Sequence, residues 1–112
     1  MSDEGPMTDV MVETKPKETT KTRRVPPYNV ILENDDHHSM EFVLSVLQKA
    51  LGYNEQRSFQ LMMQAHESGQ AIVWTGSKEV AELKLELMLS CHETRGGQKL
   101  GPLGVRIEPA AG

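Results

Sequence analysis

The chain has 112 residues, of which 38% are hydrophobic and 25% charged, a length and composition typical of one soluble globular domain. Its single cysteine, Cys91, excludes an internal disulfide framework and a cysteine-rich zinc site, and it favours a reducing compartment, for which the cytoplasm is the default. The net charge of −4 argues against a nucleic-acid binder, and the absence of a long apolar stretch or a secretory signal pattern argues against a membrane protein.

The N-terminal segment, residues 1–26, has no aromatic residue and is rich in Thr, Lys, Glu and Pro. Such a segment cannot bury enough apolar surface to offset the loss of chain entropy, so we predict a disordered tail. Its five acidic and five basic side chains cancel, which assigns the net negative charge to the remainder. We expect that remainder, residues 27–112, to form the folded core domain.

The first two predicted elements are a strand and a helix. Residues 28–33, YNVILE, alternate between two faces and carry β-branched and aromatic side chains, which predicts a strand. After a polar loop, apolar residues recur at steps of three and four from Met40 to Leu51. This spacing predicts a helix, with Ser39 as its N-cap and Gly52 at its end.

A second helix and a second strand follow. Asn54 is a suitable N-cap, Gly69 ends the helix, and an apolar face is predicted to carry Phe59, Met62, Met63 and His66. The run QAIVWT, which follows Gly69, predicts the second strand.

The C-terminal part predicts a third helix and a last strand. Ser77 caps the run KEVAELKLELMLSCHE, which we expect to be helical until Gly96 and Gly97 lead into a loop. The run PLGVRIE, residues 102–108, alternates and predicts a strand. The element order β-α-α-β-α-β predicts an α+β sandwich, with three helices on a three-stranded antiparallel sheet.

The loop after the first strand, ENDDHHSMEF, is dense in hydrogen-bond acceptors. Asn34 and Asp35 are good turn formers, and a turn alone would explain them. Alternatively, their side-chain oxygens could converge on an ammonium group, which offers three N–H donors and accepts nothing. The neutral imidazole of His66 could supply a third acceptor, although a histidine on an apolar helix face is more often a core residue.

The methionines offer the same choice between packing and binding. Met40, Met62 and Met63 occur at helical spacing, where methionine commonly fills a core. Flexible thioethers also line pockets that accept several apolar side chains. An apolar hollow beside an ammonium site would recognise a free N-terminal residue with a hydrophobic side chain.

Two other classes of function remain open on these residues. Carboxylates and imidazoles could ligate a metal ion in a metal-binding protein or metalloenzyme, although the adjacent histidines lack the helical spacing of an HExxH site. The candidate ligands are Asp35, Asp36, His37, His38, His66 and His92. The fold would also suit a structural protein-interaction domain without a peptide pocket. No GxSxG or P-loop pattern occurs in the sequence.

Three sequence runs together carry a family resemblance. The runs YNVILENDDHHSMEFVLSVLQKALGY, LMMQAHESGQAIV and SKEVAELK strongly resemble the ClpS family, over residues 27–108. Members of that family are adaptors that bring N-degron substrates to the AAA+ unfoldase ClpA of the ClpAP protease. The resemblance implies an adaptor that is not an enzyme, needs no cofactor or metal ion, and acts as a monomer with the ClpA N-domain and N-degron peptides as partners.

The resemblance also implies roles for individual residues. The α-amino group of the peptide would be bound by Asn34, Asp35 and His66. The hydrophobic first side chain would lie in a pocket formed by Met40, Val43, Met62, Ala65 and Leu103. The unfoldase would be bound by Glu79 and Lys84, and Asp36 and His38 are further candidate peptide contacts. The family commonly has a tyrosine-threonine-proline run where this chain has HHS, and a valine at position 65.

Overall fold

The computed structural model describes residues 25–110, which form a three-stranded antiparallel sheet, three helices and a small hairpin, so the predicted fold class is confirmed. The predicted N-terminal tail lies, apart from its last two residues, outside the described residues. Within this described part, no helix has the length and apolar character needed to cross a membrane. The elements are β1 (Tyr28–Glu33), α1 (Met40–Leu51), α2 (Glu55–Ser68), β2 (Gln70–Gly76), α3 (Lys78–Leu89), β3 (Thr94–Arg95), β4 (Gln98–Lys99) and β5 (Val105–Pro109).

The three-stranded sheet has the order β2-β1-β5, and β1 is antiparallel to both neighbours. Val30 pairs with Trp74 on one side and Ile107 on the other. The face of β1 that carries Val30 and Leu32 is the inner one, because both residues belong to the core that all three helices cover. Burial of this face is the main stabilising contribution to the fold.

All three helices begin at their predicted N-caps, and α1 and α2 end at their predicted glycines. Ser39 Oγ accepts the Phe42 N–H at 3.1 Å, Asn54 Oδ1 accepts the Arg57 N–H at 2.8 Å, and Ser77 Oγ accepts the Val80 N–H at 3.3 Å. Gly52 and Gly69 end α1 and α2 with φ of 74° and 93°, in the left-handed region that glycine adopts without steric cost.

The outer face of the sheet is less polar than the alternation suggests. Ile31 points to this face, yet it is only 1% exposed. It pairs with Ile72 and Arg106, whose guanidinium donates to carboxylate and amide oxygens of Glu33, Gln70 and Glu108. A long side chain held by several acceptors covers apolar surface with its stem, which explains how Ile31 is buried on a face without helices.

The third helix is shorter than predicted. It ends at Leu89 with Ser90 as its C-cap, so Cys91 and His92 lie beyond the helix. The expected loop is instead the hairpin β3–β4, with Gly96 and Gly97 at φ of 60° and 81°. Two consecutive residues at positive φ match a type I′ hairpin turn, which the pair of glycines permits.

Two further predictions need adjustment. The last strand begins at Val105, three residues later than predicted. The buried stripe of α2 is Ser58, Leu61, Met62 and Ala65, not the predicted Phe59, Met62, Met63 and His66, and Phe59 is 51% exposed. Both sets have the spacing i, i+3, i+4, i+7, so spacing alone does not distinguish the two faces. The prediction placed the large, apolar Phe59 on the buried face, which shifted that face by one residue.

Candidate functional site

Three chain segments meet where β1 ends. The Glu33 N–H donates to the Gly104 carbonyl at 2.8 Å, and the Asn34 N–H donates to the Gly69 carbonyl at 3.0 Å. The loop after β1 is thereby joined to the segment before β5 and to the turn between α2 and β2. These bonds fix the start of the polar loop at one end of the sheet.

The carboxylate of Asp35 organises this loop. Its Oδ1 accepts the N–H groups of His37 and His38, both at 2.9 Å. Burial would raise the pKa of Asp35, but these amide bonds and the adjacent His38 ring outweigh it and hold the pKa below its ordinary value. Asp35 is therefore an ionised acceptor at neutral pH, ready to bind a cation.

The ring of His38 lies inside the structure. Nδ1 is 3.0 Å from Asp35 Oδ2 and 3.2 Å from Oδ1, and Nε2 is 2.9 Å from the carbonyl oxygen of Gly101. The ring also stacks on Phe42, with centroids 5.2 Å apart. Both ring nitrogens of this candidate peptide contact thus have partners within the chain.

The hairpin segment braces the other end of the loop. Glu93 Oε1 accepts the N–H of Ser39, the N-cap of α1, at 3.0 Å. This backbone bond holds the pKa of Glu93 below its ordinary value, with a further contribution from Arg95. A carboxylate at a helix N-terminus is also favoured by the helix dipole. Glu93, directly before the hairpin that the sequence did not predict, therefore ties the N-cap of α1 to this segment.

A cavity of about 230 Å³ opens beside the loop. Its apolar wall comes from the start of α1, the C-terminal half of α2 and the segment before β5. Met40 at the mouth is 48% exposed, whereas Met62 and Leu103 are buried at 6% and 2%. The lining consists of Leu32, Glu33, Asn34, Asp35, Asp36, His38, Met40, Val43, Met62, Ala65, His66 and Leu103.

Every residue that the sequence suggested for the amine site and the hydrophobic pocket lines this one cavity, and so do Asp36 and His38. The sequence missed Leu32 and Glu33. Their position at the end of β1, directly before the acceptor loop, was the available signal. The Glu33 carboxylate is engaged by Arg106, whose Nε lies 2.8 Å from Oε2, so Asp35 is the better placed acid for a ligand.

Charge and shape combine in this cavity to suit one kind of ligand. Acceptors from Asn34, Asp35 and His66 share the lining with the apolar wall. A volume of about 230 Å³ is below the roughly 300–1,000 Å³ usual for pockets that bind drug-sized molecules, so it suits a single side chain. The arrangement can bind an ammonium group that carries an apolar substituent.

A second surface lies on α3. Val80, Leu83 and Leu87 are 38%, 54% and 43% exposed. At 100° per residue they lie between Glu79 and Lys84 on one side of the helix. Lys84 Nζ lies 5.9 Å from the centre of the Trp74 ring. The sequence suggested the two charged residues as a partner surface and missed the apolar stripe that they flank.

Residues 25–110 contain no group of three or more His, Cys, Asp or Glu side chains arranged to hold a metal ion. His37 and His38 diverge, because His38 turns inward to Asp35 and Gly101 while His37 is exposed. The metal-site interpretation of the loop therefore has no donor set in this part of the chain.

Comparison with known proteins identifies the family. The family model described as "ATP-dependent Clp protease adaptor protein ClpS" matches residues 23–105. The chain belongs to the ClpS family. The ClpS adapter protein of Ruegeria pomeroyi is 40% identical over 80 residues, which cover 71% of this chain and 67% of that protein. The ClpS adapter protein of Escherichia coli O1:K1 / APEC is 43% identical over 82 residues, which cover 71% and 74%.

A solved structure agrees with this assignment. The ClpS2 protein of Agrobacterium tumefaciens, bound to L-phenylalaninamide, is 32% identical to this chain and superposes with a TM-score of 0.63. The match covers 78% of this chain and all of that one. The ClpS fold and the family's role as a Clp protease adaptor thus apply to this chain.

Proposed function

We propose that this protein binds the free N-terminal residue of N-degron substrates and delivers them to a ClpA-type unfoldase for degradation by ClpP. The observation that carries the proposal is the cavity of about 230 Å³, in which an apolar wall adjoins the acceptors Asn34, Asp35 and His66. A peptide N-terminus presents the matching features, because its α-ammonium group and its first side chain leave the same carbon atom.

The ligand of the related ClpS2 structure supports this choice. L-Phenylalaninamide has a free amino group, an aromatic side chain and an amide in place of the next residue. It therefore stands in for an N-terminal phenylalanine. By analogy, the ammonium group of a substrate here would donate to Asn34, Asp35 and a neutral His66, and its side chain would enter between Met62 and Ala65.

We expect Leu, Phe, Tyr and Trp as first residues. A charged side chain would lose its hydration in an apolar cavity, and a β-branched one would be too wide near its Cβ for the approach past Met40. The thioethers of Met40 and Met62 can adjust to the different shapes of the accepted side chains.

The unfoldase would dock on α3, through an apolar stripe of Val80, Leu83 and Leu87 flanked by Glu79 and Lys84. An interface with an apolar centre and charged rim is the usual anatomy of a specific contact between proteins. No residue of α3 lines the cavity, so substrate and unfoldase can be bound at the same time.

The test compares labelled peptides that begin with phenylalanine and have either a free or an acetylated N-terminus. Acetylation removes the positive charge and leaves buried acceptors unpaired, so affinity should fall by several kcal/mol. Asp35→Asn should reduce binding of the free peptide, and Glu79→Gln, outside the cavity, should not. Equal affinity for both peptides would reject the proposal, and so would cleavage of a substrate by this protein alone.

A further inference from the structure

The imidazole of His38 lies between two hydrogen-bond acceptors. Nδ1 is 3.0 Å from Asp35 Oδ2, and Nε2 is 2.9 Å from the carbonyl oxygen of Gly101. A neutral imidazole carries one N–H, whereas an imidazolium carries two. The neutral ring therefore directs a lone pair at one of these oxygens, and only the protonated ring donates to both.

The surroundings keep the ring in this position. The His38 side chain is only 4% exposed, and its ring stacks on Phe42 at an angle of 21°. When the ring is neutral, one of the two acceptor oxygens has lost its donor from the ring. The protonated form thus makes two charge-assisted hydrogen bonds, of which the neutral form makes one at most.

The same carboxylate lines the cavity that a peptide ammonium group would enter, as Asp36 also does. Asp35 Oδ1 already accepts two backbone N–H groups, and Oδ2 lies 3.0 Å from Nδ1 of His38. A protonated His38 neutralises most of the charge that attracts the ligand. An ammonium group that reaches Asp35 would also lie next to a second cation and be repelled by it.

We propose that His38 sets the affinity of the amine site, because its protonated ring competes with the peptide α-ammonium group for Asp35. This inference rests on the proposed function, and it adds that substrate capture is coupled to release of a proton from His38. The coupling is reciprocal, so acid weakens peptide binding and peptide binding favours the neutral ring.

Other titratable groups lie nearby and must be separated from His38. Glu33 is engaged by Arg106, and Glu93 accepts the Ser39 N–H, so both are held by other partners. The titratable groups that line the two hollows around the ring, or lie within three residues of it or on its neighbour Ser39, are Glu33, Asp35, Asp36, His37, Glu41, His66 and Glu93. Of these, His37 and His66 are the other imidazoles, so the experiments must separate their contribution from that of His38.

The first experiment measures peptide affinity from about pH 5.5 to 8 for wild type and His38→Thr, which introduces the residue common in the family. At the acidic end the variant should bind the peptide about tenfold more tightly than wild type, the factor that corresponds to one pKa unit of coupling. Near pH 8 the two affinities should converge. His37→Thr is the matched control, because it keeps the backbone donor to Asp35 and should follow the wild-type curve.

The second experiment is calorimetry near pH 6 in two buffers that differ in ionisation enthalpy. The wild type should release more protons on peptide binding than His38→Thr does. The His66→Gln variant, which keeps His38, should still release the protons that come from His38. Nitrogen NMR of the His38 ring in the wild type, followed with and without peptide at one pH, should show loss of a ring proton on addition of peptide. This wild-type measurement decides the matter even when the variant does not fold.

The outcomes separate this inference from the proposed function. A wild-type-to-variant affinity ratio that does not change with pH, or a ring whose protonation is unaffected by peptide, would overturn the role of His38 while leaving peptide binding intact. A wild-type protein that binds no free N-terminus at any pH would reject the proposed function itself.

Discussion

The shape of the cavity makes position 65 a sensitive test of side-chain selection. Ala65 is 3% exposed and lines the hollow between Met62 and His66 on α2. Ala65→Val adds two carbon atoms at this wall. A phenylalanine side chain would fill more of the roughly 230 Å³ than a leucine would, so the added atoms should obstruct it more.

The size of the effect follows from the buried area that the ligand loses. Each methylene withdrawn from burial costs about 0.8 kcal/mol, so the loss of contact equivalent to two of them would weaken a phenylalanine peptide by about 1.6 kcal/mol. This corresponds to roughly 15-fold in affinity. Leucine, with more space around it, should lose about half as much, and its preference relative to phenylalanine should improve about fourfold.

The assay is competition fluorescence anisotropy with two peptides that differ only in their first residue. Ala50→Val is the matched control, because it makes the same change in a helix at a half-buried position outside the cavity. Chemical unfolding of both variants separates overpacking of the core from occupation of the pocket. If Ala65→Val is folded and its Phe-to-Leu affinity ratio equals that of the wild type, position 65 does not shape the pocket.

Three further predictions concern stability and delivery. The depressed pKa of Asp35 means that its carboxylate contributes stability above its unfolded-state pKa, near 3.8, and loses that contribution as pH falls through the lower folded value. Asp35→Asn should therefore lower the free energy of unfolding by about 1 kcal/mol at pH 7, and the difference from wild type should shrink in acid. A difference at pH 3 equal to that at pH 7 would contradict this. Ser58→Ala should leave peptide affinity unchanged and raise the free energy of unfolding by about 1 kcal/mol, because Ser58 Oγ is fully buried without a hydrogen-bond partner in the described structure. A loss of stability in denaturant titrations would show that the hydroxyl has a partner. Leu83→Ser should leave peptide binding intact and slow degradation of an N-degron substrate by the unfoldase and peptidase, with Ile72→Ser, at a similarly exposed position on the sheet, as control. Equal degradation rates for Leu83→Ser and wild type would remove α3 from the docking surface.

The elements of this fold that could be predicted are those with local signals. Each helix begins at a side chain that caps it within three residues, as Ser39, Asn54 and Ser77 do. The alternation in β1 likewise identifies Val30 and Leu32 as core residues. Such signals need only neighbouring residues, so a pattern in the sequence is sufficient to reveal them.

The features that could not be predicted depend on distant residues. The contact between His38 and Gly101 spans 63 positions, and that between Ser39 and Glu93 spans 54. Nothing near either residue in the sequence indicates its partner. The residues of the candidate pocket could be named from the loop and the family resemblance, but the contact of His38 with Gly101 depends on the position of the segment that precedes β5.

The carboxylate of Asp35 connects the stability of the loop to its chemistry. Oδ1 is used by the fold, because it accepts the backbone N–H groups that shape the loop, whereas Oδ2 lies 3.0 Å from a side-chain atom, Nδ1 of His38. These bonds order the loop in the free protein. The affinity for a ligand is therefore not reduced by the entropy cost of ordering the loop. In the proposed function, the ammonium group of the peptide would replace the His38 ring at Oδ2. A site built in this way can lower its affinity in acid without losing its structure, because protonated His38 keeps the same acceptors in place that the peptide would use.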